Sequence, residues 1–165
     1  MPIEYITLPT QALIEEQWIY ENRREFDAAQ SGTYVDHKRL NVAKMITALA
    51  EDPVRLGALA EAIVNERQGR VLVLSCRRQQ LDALYHLLRV AGRRHCQLAH
   101  SIHDAEIRAD TDCLFTTYQR QGFNEFKPDV VIYATPSRVK WEFPARVRVV
   151  YPIDDHPLFK RIANV

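Results

Sequence analysis

Glycine is scarce in this chain, with only 5 in 165 residues, and none of them sits in a GxxxxGKS/T or GxGxxG pattern. Loops of those kinds wrap phosphates in backbone N–H groups, so their absence predicts a chain that does not hold a nucleotide tightly by itself. A GxSxG nucleophile turn is also missing, which counts against the hydrolases built on similar sheets. Cysteine is equally sparse. Cys76, Cys96 and Cys113 are odd in number and form no CxxC pair, so neither a disulfide framework nor a zinc knuckle is expected. His95 and Cys96 with His100 and His103 come nearest to a metal set, but a second paired knuckle is lacking, and the segment reads as strand and loop. Charge of one sign is lacking too. With 26% charged residues and a net charge of +1, any attraction to a polyanion must come from a local patch. Apolar runs such as Val71 to Leu74 are far too short to cross a bilayer, and Met1-Pro2-Ile3-Glu4 opens no secretory signal. A cytoplasmic protein with no membrane partner is the expectation.

What is present is enough for one substantial core, since 47% of the residues are hydrophobic. Two halves differ in pattern. Residues 1–68 read as a strand and helical lead-in packed on the core. Thr10 is placed to cap a helix carrying Leu13, Ile14, Trp18 and Phe26, which would end near Ser31-Gly32. A second helix is expected from about Asp36 through Leu40, Met45, Ile46 and Leu49. Asp52-Pro53 then reads as the start of a third, running through Leu56, Leu59, Ala60 and Ile63 toward Gly69.

From residue 69 to 165 the period changes. Val71-Leu72-Val73-Leu74 is an unbroken apolar run, as a strand covered on both faces requires. Leu81, Leu84, Leu88 and Ala91 then recur at helical spacing, and Gly92 suits a left-handed C-cap. Cys96 to Ala99, Cys113 to Thr116, Val130 to Tyr133 and Arg146 to Tyr151 are further strand candidates. Strands separated by crossover segments predict an α/β fold with a mainly parallel, doubly wound sheet. The loops after Leu74, Thr116 and Ala134 should then open on one edge, where such sheets bind ligands.

Particular stretches carry a resemblance. Asp52-Pro53-Val54-Arg55 leading to Gly69-Arg70-Val71-Leu72-Val73-Leu74-Ser75 looks like motif IV of the second, RecA-like domain of superfamily 2 helicases, particularly those of phage and related bacterial type. Cys113-Leu114-Phe115-Thr116-Thr117, followed by Tyr118 to Asn124, resembles motif V, and Pro128 to Pro136 resembles the strand after it. Val149 to Phe159 is similar to the last strand and turn of that group. The resemblance implies a domain that binds nucleic-acid backbone, DNA more than RNA, through Ser75, Arg77, Arg78, Thr116, Thr117 and Arg120. It also implies that Gly122 and Asn124 lie near a nucleotide. Asn124 stands where the group has aspartate, so it keeps a hydrogen bond and loses the charge.

The chief departure is motif VI, because Ser137 to Arg148 contains no QxxGRxxR. Without those arginines, which stabilise charge during phosphoryl transfer, no autonomous ATPase is expected. ATP and magnesium would be bound only with a partner, a helicase N-terminal ATPase domain or subunit. The alternative is a catalytically inactive RecA-like module that regulates a helicase or replication protein by contact, since scaffold and function separate easily. Trp141 and Phe143 are read as stacking residues or as cover for the sheet, and Asp154-Asp155-His156 as a helix cap or a metal site.

Overall fold

The structure is a computed structural model that describes residues 2–9, 20–27, 33–66, 69–92, 95–99, 106–118, 126–136 and 142–155. Its centre is the apolar run foreseen above. In chain order the elements are β1 (Ile3–Leu8), β2 (Tyr20–Asp27), β3 (Thr33–Leu40), α1 (Val42–Glu51), α2 (Pro53–Asn65), β4 (Val71–Ser75) and α3 (Arg78–Val90). Then follow β5 (Cys96–Ala99), β6 (Cys113–Thr117), β7 (Val130–Tyr133) and β8 (Arg148–Asp154).

Six of these strands form one parallel sheet in the order β1-β8-β7-β4-β6-β5, and β2 and β3 form a separate antiparallel pair. The fold is therefore α/β with a parallel sheet, as the sequence predicts. Every residue of β4, β6 and β7 is buried, which is why these strands show no alternation and are apolar up to the hydroxyl residues Ser75 and Thr116-Thr117 at two of their ends.

Which face each connection covers follows from the strand order. A right-handed crossover places its connection on one face when the chain steps one way along the sheet, and on the other when it steps back. The steps from β1 to β4 and from β4 to β5 run the same way. Accordingly, α2 and α3 share a face, where Leu59, Ile63, Leu81, Leu84 and Leu88 pack on Val71, Val73, Phe115 and Ile132. Each of these fully buried leucines contributes about 2 kcal/mol from apolar area removed from water. The remaining steps run back, and their connections supply Ile107, Tyr118, Phe126, Phe143 and Val147 to the opposite face. The sheet is wound on both sides. Phe143 thus serves as cover, while Trp141 lies outside the described residues.

The lead-in needs correction. Tyr20–Asp27 is a strand, so the expected helix ending near Ser31-Gly32 does not extend over Phe26, and Thr10 to Trp18 lie outside the described residues. The helix expected from Asp36 begins instead at Val42, because Thr33–Leu40 pairs with β2 in a register that sets Glu21 opposite Arg39 and Phe26 opposite Tyr34. The β-branched and aromatic Thr33-Tyr34-Val35 favours an extended chain, and Ser31-Gly32 falls between two strands as a turn signal. Asn41 is the actual N-cap, its side chain accepting from Lys44 N at 3.1 Å. Asp52 caps α2 by accepting from Arg55 N at 2.9 Å, with Pro53 in the first turn, as expected. Gly92 has φ +90° just beyond α3, again as expected.

Candidate functional site

Strand β4 lies between β6 and β7, so Leu74 is level with Thr116 on one side and Tyr133 on the other, and Ser75 is beside Thr117. All these strands run parallel. Their C-terminal ends, and hence the loops after Leu74, Thr116 and Ala134, share one edge. At this point the chain leaves β4 toward one sheet face and β7 toward the other, a topological switch point of the kind where open α/β sheets take ligands.

The hydroxyls named from the sequence face inward. Ser75 is fully buried; its Oγ donates to Gln80 Oε1 at 2.6 Å and accepts from Arg77 N at 3.0 Å. Thr116, also fully buried, donates to the Ala99 carbonyl at 2.7 Å, and Thr117 is buried beside Ser75. Their chemistry fixes the loops. Arg77 is half-buried and tied back to α1, with Nε donating to Thr47 Oγ1 at 3.1 Å and Nη2 to the Ala43 carbonyl at 3.1 Å. Its Nη1 donates to the Cys76 carbonyl at 3.2 Å. Arg78 is exposed at the start of α3. Arg120, Gly122 and Asn124 lie outside the described residues.

What remains open at this edge is the N-terminus of α3. Among the described residues no side chain caps this 13-residue helix, and its first turn contains no acid. The leading amides of a helix carry partial positive charge, and here Arg77 and Arg78 add to it. A cavity of about 180 Å³ opens alongside, between α1, α2 and α3; Arg77, Gln79, Gln80 and Thr47 line it, with the Glu51 carboxylate on its α1 side. The arrangement can hold an oxyanion by backbone N–H groups and an arginine. It does not fit a whole nucleotide triphosphate: β4 passes into α3 through only Cys76 and Arg77, too short a turn to wrap a phosphate chain.

Residues the sequence reading passed over hold this edge together. Thr135, fully buried, accepts from Cys76 N at 3.2 Å through Oγ1, and its carbonyl accepts from Tyr118 Oη at 2.7 Å. A single residue, two positions beyond the end of β7, thus binds the turns after β4 and β6. The only signal was a small hydroxyl between a strand and Pro136. Tyr118 also begins a row of rings: it stacks on Tyr133 at 5.7 Å, and Tyr133 on Tyr151 at 4.8 Å. Burial pushes the Tyr118 hydroxyl well above its ordinary range, against the opposing effect of the Thr135 hydroxyl 3.3 Å away, and burial raises Tyr151 as well. A raised pKa in the folded state means stability that is complete below the unfolded value of 10.0 and is lost as pH rises above it. Above pH 10 we expect stability to fall by about 1.4 kcal/mol per pH unit for Tyr118. Urea unfolding across alkaline pH tests this; Tyr118→Phe should flatten the slope.

A second buried constellation lies at the same edge, where β8 ends. Asp154 follows Ile153 in β8 and sits level with Leu8 of β1; it is buried against the fully buried Arg55 of α2. Arg55 Nε donates to Asp154 Oδ1 and Nη2 to Oδ2 at 3.4 Å, while Nη1 has no partner among the described residues. Burial lifts the Asp154 carboxyl above its ordinary range although Arg55 pulls the other way. Asp154 is therefore a strand-end residue paired across the fold, a correction to its reading as a cap or metal ligand; His156 is outside the described residues. Cys96 is buried in the core, and the exposed His95 ring lies 3.3 Å from Asp110, so the two do not converge on one ion. Among the described residues no cluster of three potential metal ligands occurs, and no helix is long and apolar enough to cross a membrane.

No protein-family model matches the chain, and the searches of curated proteins and of solved structures found no match.

Proposed function

We propose that the chain is a RecA-like domain of the helicase second-half type, which holds nucleic-acid backbone, DNA more than RNA, at the strand-end edge. It would act with a separate ATPase domain or subunit in ATP-dependent unwinding or remodelling, ATP and magnesium being bound mainly by that partner. One observation carries the reading. The stretches resembling motifs IV and V are the neighbouring parallel strands β4 and β6, ending side by side next to an uncapped helix N-terminus with two arginines.

In this reading a backbone phosphate meets the first-turn amides of α3 and the Arg78 guanidinium, contacts that position a strand without reading its bases. Ser75, Thr116 and Arg77 are positioning residues: their hydrogen bonds to Gln80, Ala99 and α1 fix the turn that presents those amides. A cytoplasmic location belongs to the same proposal, that of the host if the chain is phage-encoded. The inward-facing hydroxyls favour one other reading, a RecA-like module that regulates a helicase or replication protein through protein contacts alone.

Fluorescence anisotropy with a labelled single-stranded oligonucleotide separates the two. We expect binding at low salt that fades as salt rises, with Arg78→Ala weakening it and lowering the slope of log K against log salt by about one. Arg89→Ala, at the far end of α3, should leave binding unchanged. No binding at low salt would abandon the nucleic-acid reading in favour of the regulatory one.

A further inference from the structure

Strand β1 is the outermost strand of the six-stranded sheet, paired with β8 on one side, and among the described residues no strand lies against its other side. Free strand edges attract other strands, and proteins usually blunt them with charge, proline or bulges. Nothing of the kind interrupts Ile3 to Leu8: prolines stand only at positions 2 and 9. The one charged residue, Glu4, is turned to Arg148, whose Nε and Nη2 donate to its carboxylate at 2.9 and 2.8 Å while Nη1 also pairs with Glu66 at 3.1 Å. That pairing holds the Glu4 carboxyl below its ordinary range.

The hydrogen-bond phase of β1 fixes which backbone groups are outward. Val149 N donates to the Pro2 carbonyl and Asp155 N to the Leu8 carbonyl, so the even-numbered residues point their polar groups at β8. The odd ones, Ile3, Tyr5 and Thr7, point theirs away from the sheet. Their side chains share the sheet face that carries Tyr151, whose ring centroid lies 6.1 Å from that of Tyr5. Ile3 is 51% and Tyr5 67% exposed, high values for an apolar and an aromatic residue on a strand.

We propose that β1 pairs antiparallel with β1 of a second copy of this chain, about a two-fold axis perpendicular to the sheet and passing between the two Tyr5 residues. This is the register that uses every outward group. Tyr5 faces Tyr5 of the partner copy, and Ile3 faces Thr7 in both directions, so each facing pair exchanges two N–H to carbonyl bonds. A register shifted by one residue would set outward groups against inward ones. In the matching register Glu4 lies opposite Ile6, not opposite its own copy. The tyrosine row Tyr133, Tyr151, Tyr5 continues across the axis into the same row of the partner, adding an aromatic cross-strand pair. An interface of two short edges is smaller than that of a permanent dimer, so association is reversible and concentration-dependent.

Sedimentation velocity over a concentration series, with backbone hydrogen exchange at both ends of the series, tests this on the full chain. A reversible dimer is expected at high concentration, with exchange slowed selectively at Ile3, Tyr5 and Thr7. Thr7→Pro removes an outward donor while leaving the bonds to β8, and Tyr5→Lys puts a charge on the axis; each should abolish the dimer with the circular dichroism spectrum unchanged. Should Thr7→Pro fail to fold, Tyr5→Lys at its exposed position still decides. Val90→Lys, which removes the 89% exposed valine on α3, should leave the dimer intact. A monomer at every concentration, a dimer indifferent to Tyr5→Lys, or one lost in Val90→Lys would overturn the proposal.

Discussion

Replacing Arg55 by methionine is expected to destabilise the fold by about 3–5 kcal/mol, because it leaves the buried Asp154 carboxylate without its counter-ion. For a domain of this size that is a fall of roughly 6–20 °C in Tm, read from a thermal melt followed by circular dichroism. The size of the effect comes from burial: Arg55 is fully buried and Asp154 nearly so. The same burial predicts the outcome of removing both. Asp154 has its pKa raised, so desolvation outweighs what Arg55 returns. The double change Arg55→Met with Asp154→Leu should therefore recover most of the loss. A double variant no more stable than Arg55→Met alone would mean that the pair does more than neutralise itself.

Gly69→Ala should cost about 2–4 kcal/mol, seen as a lower urea midpoint with an unchanged slope. Gly69 has φ +92°, a conformation that side chains rarely adopt, and an added Cβ would lie 2.8 Å from Asp129 Oδ2. That oxygen accepts from Arg70 N at 2.8 Å, just before β4 begins, while Asp129 Oδ1 accepts from Arg146 Nη1 at 3.0 Å. The backbone strain accounts for about 1–3 kcal/mol and the displaced hydrogen bond for about 1 kcal/mol. In an Asp129→Ala background the hydrogen-bond share should vanish, leaving the backbone strain and the 3.0 Å approach to the Cβ of residue 129.

The sheet was legible from Gly69 onward because burial on both faces leaves a plain mark: Val71 to Leu74, Cys113 to Phe115 and Val130 to Tyr133 are runs with no charged residue and no alternation. Helix α3 was equally clear, from its leucine spacing and Gly92. The lead-in was not. Tyr20-Glu-Asn-Arg-Arg-Glu-Phe-Asp has no alternation of apolar and polar residues, so nothing in it distinguishes a paired strand from a charged helix, and its pairing with β3 is a non-local fact. At the strand ends the sequence supplied residue types without their directions. Ser75, Thr116 and Arg77 are where the motif-like pattern puts them, yet which way each points depends on partners 5, 17 and 34 residues distant. The Arg55–Asp154 pair, separated by 99 residues, had no local signal at all.

Hydrogen exchange on the chain with and without single-stranded DNA at low salt tests the central claim most directly. Protection should rise at the amides of Arg78 to Gln80, the first turn of α3, and be absent from the exposed C-terminal end of that helix around Arg89 and Val90. Protection confined to other surfaces, or none at a DNA concentration that saturates anisotropy, would contradict the assignment of the strand-end edge as the surface that grips nucleic acid.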